Sequence, residues 1–539
     1  MQEKKYLGVM LDASRNAVMS VEGLKKFICA LEKMGYNCLQ LYTEDTYEIH
    51  GEPLFGYLRG RYTKQELKEI DGYARAHGIE MIPCIQTLAH LNQIFQFPKY
   101  DGIRDLSDIM LIGEEKTYEL IEKMFQVFSE CYQSRRIHIG MDEAHLLGLG
   151  KYLDRNGYQN RFDILLGHLK KVCEIAKKYG FTPMMWSDMF FRLAFNGEYY
   201  DKTKDVPDEV KAKVPEEIEL AYWDYYNTDK EMVEHMVDCH LSFDRKTWFF
   251  GGAWKWCGFN VSNQHSFDTT ACALPVCFEK GVENVVITMW GDNGDESSPY
   301  GVLPALTYAA ECARGNFDLK NAKKKFEEIF HENWDDFMLL DYPMPKAVKR
   351  KSEVASGAKE MLYNDYFLGK FDSMVRSDGL EGKTYKKLYK KLLTAEKRSE
   401  NYGYIFHSSA LLCRVLAIKY DLGVRTRKAY QSGDRKAVKK LLSDYKKIIR
   451  YLEEFLEAFR KTWTTENKPH GFDVQDIRIG GVLARTKSCM ARLKAYASGK
   501  IDVIEELDEK IVDFFTGGEP SEEMADRNMY SVLATVNIL

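Results

Sequence analysis

Short apolar runs rich in β-type residues alternate, up to about residue 315, with longer stretches whose apolar positions recur every three or four residues. The strand-like runs are Tyr6–Ser14, Cys38–Asp45, Ile79–Gln86, Arg136–Glu143, Thr182–Met189, Ile218–Tyr225, His240–Arg245 and Asn284–Gly291. Helical spacing fills the intervals, as in Tyr118–Cys131 and Phe162–Tyr179. Thr63–His77 opens on a capping box, Thr63 with Glu66 three positions on, and Gly78 and Gly180 mark helix ends just before the next strand. Eight such units predict an α/β chain folded as a closed (β/α)8, or TIM, barrel; an open doubly wound sheet is the competing arrangement.

Beyond about residue 320 the pattern becomes charge-rich and helical, without strands. Leu442, Tyr445, Ile449, Leu452, Leu456 and Phe459 trace one face of a long amphipathic helix, and Val482–Tyr496 supplies another. The chain therefore divides into a barrel over residues 1–315 and a mostly α-helical C-terminal domain over 316–539. Such stripes usually pack within a chain, and they also leave surface on which a second copy could form a homodimer. The polar patch Gly471–Arg478 is expected near the barrel.

Composition narrows the function classes. With 539 residues, 45% hydrophobic, 29% charged and a net charge of -5, the chain has the makings of more than one core and lacks the positive balance of a nucleic-acid binder. Lys323-Lys324-Lys325 reads as a solvated helix start. The twelve cysteines show no C-x-x-C pairing, which fits buried thiols in a reducing compartment. No leader-like segment precedes Tyr6 and no apolar run approaches ~18 residues, so a cytoplasmic protein with no membrane partner is expected.

The chemistry is expected at the strand ends. Ile137–Glu143 reads Ile-His-Ile-Gly-Met-Asp-Glu, an apolar run that stops at two adjacent carboxylates. Acids at the rim of an apolar core acquire shifted pKa values, and the C-terminal ends of barrel strands share one mouth. Those ends carry Asp12, Ser14 and Arg15; Glu44 and Asp45; Gln86 and His90; Asp142 and Glu143; Trp186 and Asp188; Tyr222, Trp223, Asp224 and Tyr225; Asp244; and Trp290, Asp292, Asp295 and Glu296. The loop Gly251–Gly258 adds Trp254 and Trp256. Aromatic planes cover the C–H faces of sugars and carboxylates accept their hydroxyl hydrogen bonds, so a small oligosaccharide or glycoconjugate substrate is the chemical match. Metal binding fits less well, because H-x-H is absent and His138 and His145 stand seven apart. No metal and no cofactor is expected, and no glycine-rich nucleotide cradle is evident. His138 reads as a core histidine supporting the acids, and His90 as a substrate-binding residue with two readings open, a pair with Glu44 across neighbouring strand ends or a surface or core-edge histidine.

Neighbouring residues of a regular strand face opposite ways, so Asp142 and Glu143 reach one substrate only where the strand has ended or bent. The opposed carboxylates of a glycosidase working through an enzyme ester normally come from separate supports. Another division of labour is open if the sugar carries an N-acetyl group beside its anomeric carbon. Glu143 then protonates the leaving oxygen, while Asp142 holds the acetamide N–H as the acetamide oxygen attacks.

In this respect the chain resembles the family 20 glycoside hydrolases, the β-N-acetylhexosaminidases. The resemblance rests on Leu11-Asp12-Ala13-Ser14-Arg15, Leu41-Tyr42-Thr43-Glu44-Asp45, Arg61-Tyr62-Thr63 through Tyr73-Ala74, Gly78-Ile79-Glu80-Met81-Ile82-Pro83, and His138-Ile139-Gly140-Met141-Asp142-Glu143. It implies exo-acting removal of terminal β-linked N-acetylglucosamine or N-acetylgalactosamine, with retention, through an oxazolinium intermediate. Glu143 would be acid and then base, Asp142 the acetamide orienter, and Arg15 the ligand of sugar hydroxyls. Trp186, Trp223, Trp254 and Trp290 are candidate pocket walls, with Trp256 an equal alternative to Trp254, and Tyr225 is placed at the acetamide oxygen. Asp224 and Asp292 complete the substrate-binding set, with Glu44 and His138 supporting.

The chain departs from the family pattern at Leu41, where a histidine is common, at Glu44, where an aspartate is common, and at Gln86-Thr87-Leu88-Ala89-His90, where Pro-Gly-His is usual. The usual N-terminal α/β accessory domain is also expected to be missing. Three other readings remain open: a chitinase-like endo-hydrolase, a conventional two-carboxylate exo-β-glycosidase pairing Glu143 with Asp224 or Glu296, and a non-catalytic carbohydrate-binding protein.

Overall fold

The computed structural model describes residues 4–341, 357–375 and 380–513. Eight parallel strands close into a barrel: β1 (Leu7–Asp12), β2 (Cys38–Tyr42), β3 (Glu80–Cys84), β4 (Arg136–His138), β5 (Thr182–Trp186), β6 (Glu219–Trp223), β7 (Thr247–Gly252) and β8 (Val285–Met289), with β8 hydrogen-bonded back to β1. Every residue of β2, β6, β7 and β8 is buried, as expected of strands covered on one side by helices and on the other by the barrel core.

Local signals in the sequence account for much of the outer ring. Its helices include α1 (Val21–Met34), α2 (Lys64–Ala76), α3 (Glu115–Cys131), α4 (Arg161–Lys178), α5 (Asp188–Ala194), α6 (Lys230–Leu241), α7 (Asn263–Glu279) and α8 (Leu303–Ala313). The Thr63–Glu66 capping box forms at the start of α2, with both reciprocal bonds present. Gly78 and Gly180 each adopt φ 72°, the left-handed turn that releases the chain into the following strand.

Two expected strands lie elsewhere. The seventh is Thr247–Gly252, whereas His240–Arg245 ends α6 and turns through Asp244 at φ 52°. Trp248, Phe249 and Phe250 are apolar on both faces, as a doubly covered strand requires, and His240 is a buried helix residue whose Nε2 lies 2.7 Å from Ser187 Oγ. Asp244 therefore sits at the strand entry, away from the mouth. The fourth strand stops at His138, short of the two carboxylates.

The C-terminal helices α9 (Leu380–Arg398), α10 (Gly403–Lys419), α11 (Arg435–Glu466) and α12 (Phe472–Ala497) pack in sequence order. The seam of α11 runs through Tyr445, Ile448, Leu452, Phe455 and Phe459, while Leu442, Ile449 and Leu456 flank it half-buried. Glu466, the last residue of α11, docks this domain onto the barrel: its backbone oxygen accepts from Ser20 N at 3.0 Å, and Oε1 accepts from Ser298 Oγ at 2.6 Å and Tyr404 OH at 2.8 Å. Among the described residues no helix is long and apolar enough to cross a membrane.

Candidate active site

The backbone leaves the strand before the acid pair. Gly140, Met141 and Glu143 have φ of 72°, 74° and 51°, so the chain bends repeatedly and the alternation of a strand no longer applies. Left-handed conformations at non-glycine residues cost of order 1–3 kcal/mol each and persist where surrounding contacts enforce them. Here those contacts are visible: Glu143 N donates to Asp188 Oδ2 at 3.1 Å, and Met141 N to Gln86 Oε1 at 3.3 Å. A side chain at Gly140 would overlap the Gln86 amide, so the close approach requires glycine.

The two acids occupy different environments. Asp142 is nearly enclosed, its side chain 12% exposed, and Glu143 is open at 41%. Asp142 Oδ1 accepts from Gln86 Nε2 at 2.7 Å, and Oδ2 lies 3.0 Å from His90 Nε2. Burial pushes the Asp142 carboxyl up, but the charge and hydrogen bond of His90, with the Gln86 amide, outweigh it and hold it down to about 2. Burial likewise disfavours the His90 cation, yet Asp142 raises it to about 9. Asp142 is therefore an anion facing an imidazolium. Glu143 Oε1 accepts from Arg192 Nη2 at 3.3 Å, and the same guanidinium donates through Nε to Asp188 Oδ2 at 2.9 Å. Asp188, fully buried and near the charges of Asp142 and Glu143, is pushed up to about 7 despite Arg192.

The opposite wall is built from β1 and β8. Asp12 Oδ1 accepts from Ser14 N and Oγ, both at 2.8 Å, and its Oδ2 accepts from Gly291 N at 2.9 Å, which joins the two strand ends. Arg15 extends from this turn, donating to Asp292 Oδ1 at 3.1 Å and forming a close ion pair with Glu44. Its Nη2 lies 3.5 Å from His90 Nδ1. Glu44 thus serves Arg15 and not His90, which turns to Asp142; the expected Glu44–His90 pair does not form.

Five aromatic side chains expected from the sequence, Trp186, Trp223, Tyr225, Trp256 and Trp290, line one cavity with Arg15, His90, Asp142, Glu143 and Asp292. Trp223 and Tyr225 stack at 5.2 Å with planes 13° apart, and Trp256 meets the edge of Tyr225 at 5.7 Å. Gly252 makes room for this, since a Cβ there would stand 3.0 Å from Trp256 and 3.2 Å from Tyr225.

Three expected residues lie behind the cavity. Trp254 stacks on the back of Trp256 at 3.8 Å. Asp224 is a turn clasp: Oδ1 accepts from Tyr226 N and Asn227 N, and Oδ2 from Tyr222 OH and Asn227 Nδ2. His138 is buried under Trp186, with ring centroids 4.4 Å apart, and its Nδ1 accepts from Gly140 N at 3.1 Å. Burial lowers His138 to about 3, so it is neutral and fixes the bend without touching the acids. Gln86 and Asp188, expected at the mouth from sequence but given no specific role, hold the acid turn, while Arg192 and Tyr226 are not among the residues expected from sequence, and Tyr226 lines the cavity. Asp188 and Arg192 stand at helical i,i+4 spacing on α5, the one signal that could have linked them.

The helical domain also reaches the mouth. A second cavity shares Arg15 and His90 with the first and is bounded by Asn293, Gly294, Gly471, Asp473 and Arg478.

A barrel whose strand ends assemble an ionised carboxylate, an open carboxylate, an arginine and a ring of aromatic side chains belongs to the class of carbohydrate-active enzymes. The chain is a member of glycoside hydrolase family 20: residues 5–270 match the family's catalytic domain and residues 335–526 the Glycoside Hydrolase 20C C-terminal domain. It is similar to human hexosaminidase D, with 25% identity over 39% of this chain and 43% of that protein, and to an Akkermansia muciniphila β-hexosaminidase, with 27% identity over 34% and 44%. The chain thus spans about half the length of these relatives. Among solved structures, a Streptomyces coelicolor β-N-acetylhexosaminidase aligns with a TM-score of 0.40 and 19% identity over 58% of this chain and 69% of that one. One from Bacteroides fragilis aligns with a TM-score of 0.41 and 16% identity over 54% and 61%.

Proposed function

We propose that the protein is an exo-acting, retaining β-N-acetylhexosaminidase that removes terminal β-linked N-acetylglucosamine or N-acetylgalactosamine. The observation that carries this reading is the division between two adjacent acids: Asp142 is enclosed and held ionised by His90, and Glu143 is open to the cavity. A permanently charged Asp142 suits the acetamide N–H and the positive charge that grows as the acetamide oxygen attacks the anomeric carbon. Glu143 donates its proton to the leaving oxygen, then takes one from the water that opens the oxazolinium. The substrate supplies the nucleophile, so the configuration is retained. Arg15, braced by Glu44 and Asp292, addresses hydroxyls remote from the scissile bond, and the aromatic wall covers the sugar faces.

Turnover of matched p-nitrophenyl β-glycosides tests the reading. Release from the N-acetylglucosamine and N-acetylgalactosamine forms but not from glucose or galactose, reduced in Glu143→Gln, supports it. Equal use of the non-acetylated sugars assigns a conventional glycosidase instead.

We also propose a cytoplasmic location. All twelve cysteines are free thiols, nine of them buried, which fits a reducing compartment. Recovery of the chain mainly outside the cell, under controls for lysis, would overturn this.

A further inference from the structure

On the outer side of Glu143 lies a cavity of about 500 Å³ that the proposed acid chemistry does not use. Arg192 belongs to both places: it lines this cavity, and its Nη2 is 3.3 Å from Glu143 Oε1. His145, another wall residue, is tied to the same turn by its N–H, which donates to the Glu143 carbonyl at 2.6 Å. With Glu143 as the acid, the leaving oxygen is protonated beside Arg192, the residue through which this cavity adjoins the site. The volume falls within the ~300–1,000 Å³ typical of ligand pockets.

The charge of the cavity is one-sided. Its lining includes Arg161, Arg192 and His145 but no aspartate or glutamate. Arg192 is balanced by Asp188 and Glu143. Arg161 has no acidic partner among the described residues: Nε donates to the Leu147 carbonyl at 3.2 Å and Nη2 to the His145 carbonyl at 2.6 Å, leaving Nη1 without a protein partner. Partial burial even disfavours its charge, although a guanidinium remains protonated at any working pH. At the rim stands Tyr158, 75% exposed, an aromatic plane of the kind that stacks on a sugar.

We propose that this cavity binds the leaving portion of the substrate and selects an acidic sugar there, one carrying a carboxylate or a sulfate ester that pairs with Arg161. The planar fork of arginine suits bidentate contact with either oxyanion. This deepens the reading above and rests on it, because the cavity lies on the leaving side only if Glu143 is the acid.

The experiment compares kcat/KM for N-acetylglucosamine β-linked to a hexuronic acid with the same disaccharide after reduction of its carboxyl group. An N-acetylglucosamine disaccharide with and without a 6-sulfate on the leaving sugar forms the second pair, and the aryl glycoside is the control. The wild-type protein is expected to favour the acidic member of at least one pair by about 10-fold or more, as for a hydrogen bond to a charged group; the pair that responds identifies the anion. In Arg161→Gln that ratio falls to about one, and Arg161→Lys retains part of it. Equal kcat/KM within both pairs, with the aryl glycoside turned over, overturns this inference alone. A preference that survives in Arg161→Gln also overturns it, and no turnover on any substrate overturns the glycosidase reading with it.

Discussion

His90 Nε2 stands 3.0 Å from Asp142 Oδ2, a buried imidazolium–carboxylate pair that sets the charge of the site. The pair makes stability depend on pH in a definite direction. His90 is raised from 6.5 to about 9, so its contribution is complete below 6.5 and is lost as pH rises through about 9. Asp142 is lowered from 3.8 to about 2, so its contribution is complete above 3.8 and is lost as pH falls through about 2. Denaturant unfolding at pH 6 and pH 9.5 is expected to show lower stability at the higher pH, with a smaller difference in His90→Gln. An unchanged difference would mean that other groups govern the alkaline loss.

Glu143→Gln is expected to lose about 10²–10⁴-fold in kcat/KM on substrates with a poor leaving group and much less on activated aryl glycosides. Only the former need a full proton in the transition state. Equal losses across a leaving-group series would remove Glu143 from the acid role unless it limits the later step as base, which burst kinetics would reveal.

Asp142→Asn removes the negative charge and leaves His90 without its counter-ion, so the variant is expected to lose at least about 10²-fold in kcat on N-acetyl substrates while keeping its fold. The His90 ring should then titrate below about 9, readable by NMR of a labelled imidazole. Normal kcat on N-acetyl substrates would end the assignment of Asp142 as acetamide orienter.

Gly140→Ala tests the bend itself. The position has φ 72°, and an added Cβ runs into the Gln86 amide that holds Asp142. Loss of about 1–3 kcal/mol of stability is expected together with loss of activity, because relieving the overlap moves Gln86 away from the acid. A variant as stable and active as the wild type would show that the Gln86 contact is dispensable.

What could be read from sequence follows from how local the cause is. The Thr63–Glu66 cap, the glycines ending helices and the apolar strand runs are set by neighbours within a few residues, and most of the barrel follows from them. The seventh strand is harder to read, because His240–Arg245 and Thr247–Gly252 are near neighbours in the chain and a strand buried on both faces carries no alternation to mark its position. The acid pair was legible as chain ends of a strand, but partner choice was not. Glu44 and Asp142 both lie within reach of basic side chains, and only the three-dimensional path of the 86–90 segment, with His90 at φ 59°, assigns His90 to Asp142. Trp254 and Trp256 are equivalent as residues; the loop turns one into the cavity and stacks the other behind it.

The helical domain braces the site at the loop that follows Asp292. Asp292, which holds Arg15, is followed by Asn293 and Gly294, and both carbonyls are claimed by the second half of the chain: Arg478 Nη1 donates to Asn293 O at 2.5 Å and Gln475 Nε2 to Gly294 O at 2.8 Å. Asn16, next to Arg15, donates to both Gly294 O at 3.2 Å and Gly471 O at 2.8 Å, closing the arrangement from the barrel side. Gln475 is fully buried, and removing its amide takes one donor from the Gly294 carbonyl. Gln475→Ala is expected to loosen the Asp292 loop and with it Arg15, raising KM for the aryl N-acetylglucosaminide by roughly 3–10-fold, the effect of about 1 kcal/mol of lost positioning. Because the acids stand on the bend that follows β4, away from this loop, kcat should stay within about two-fold. An equal fall in kcat with KM unchanged would instead tie the helical domain to the acids and not to sugar binding.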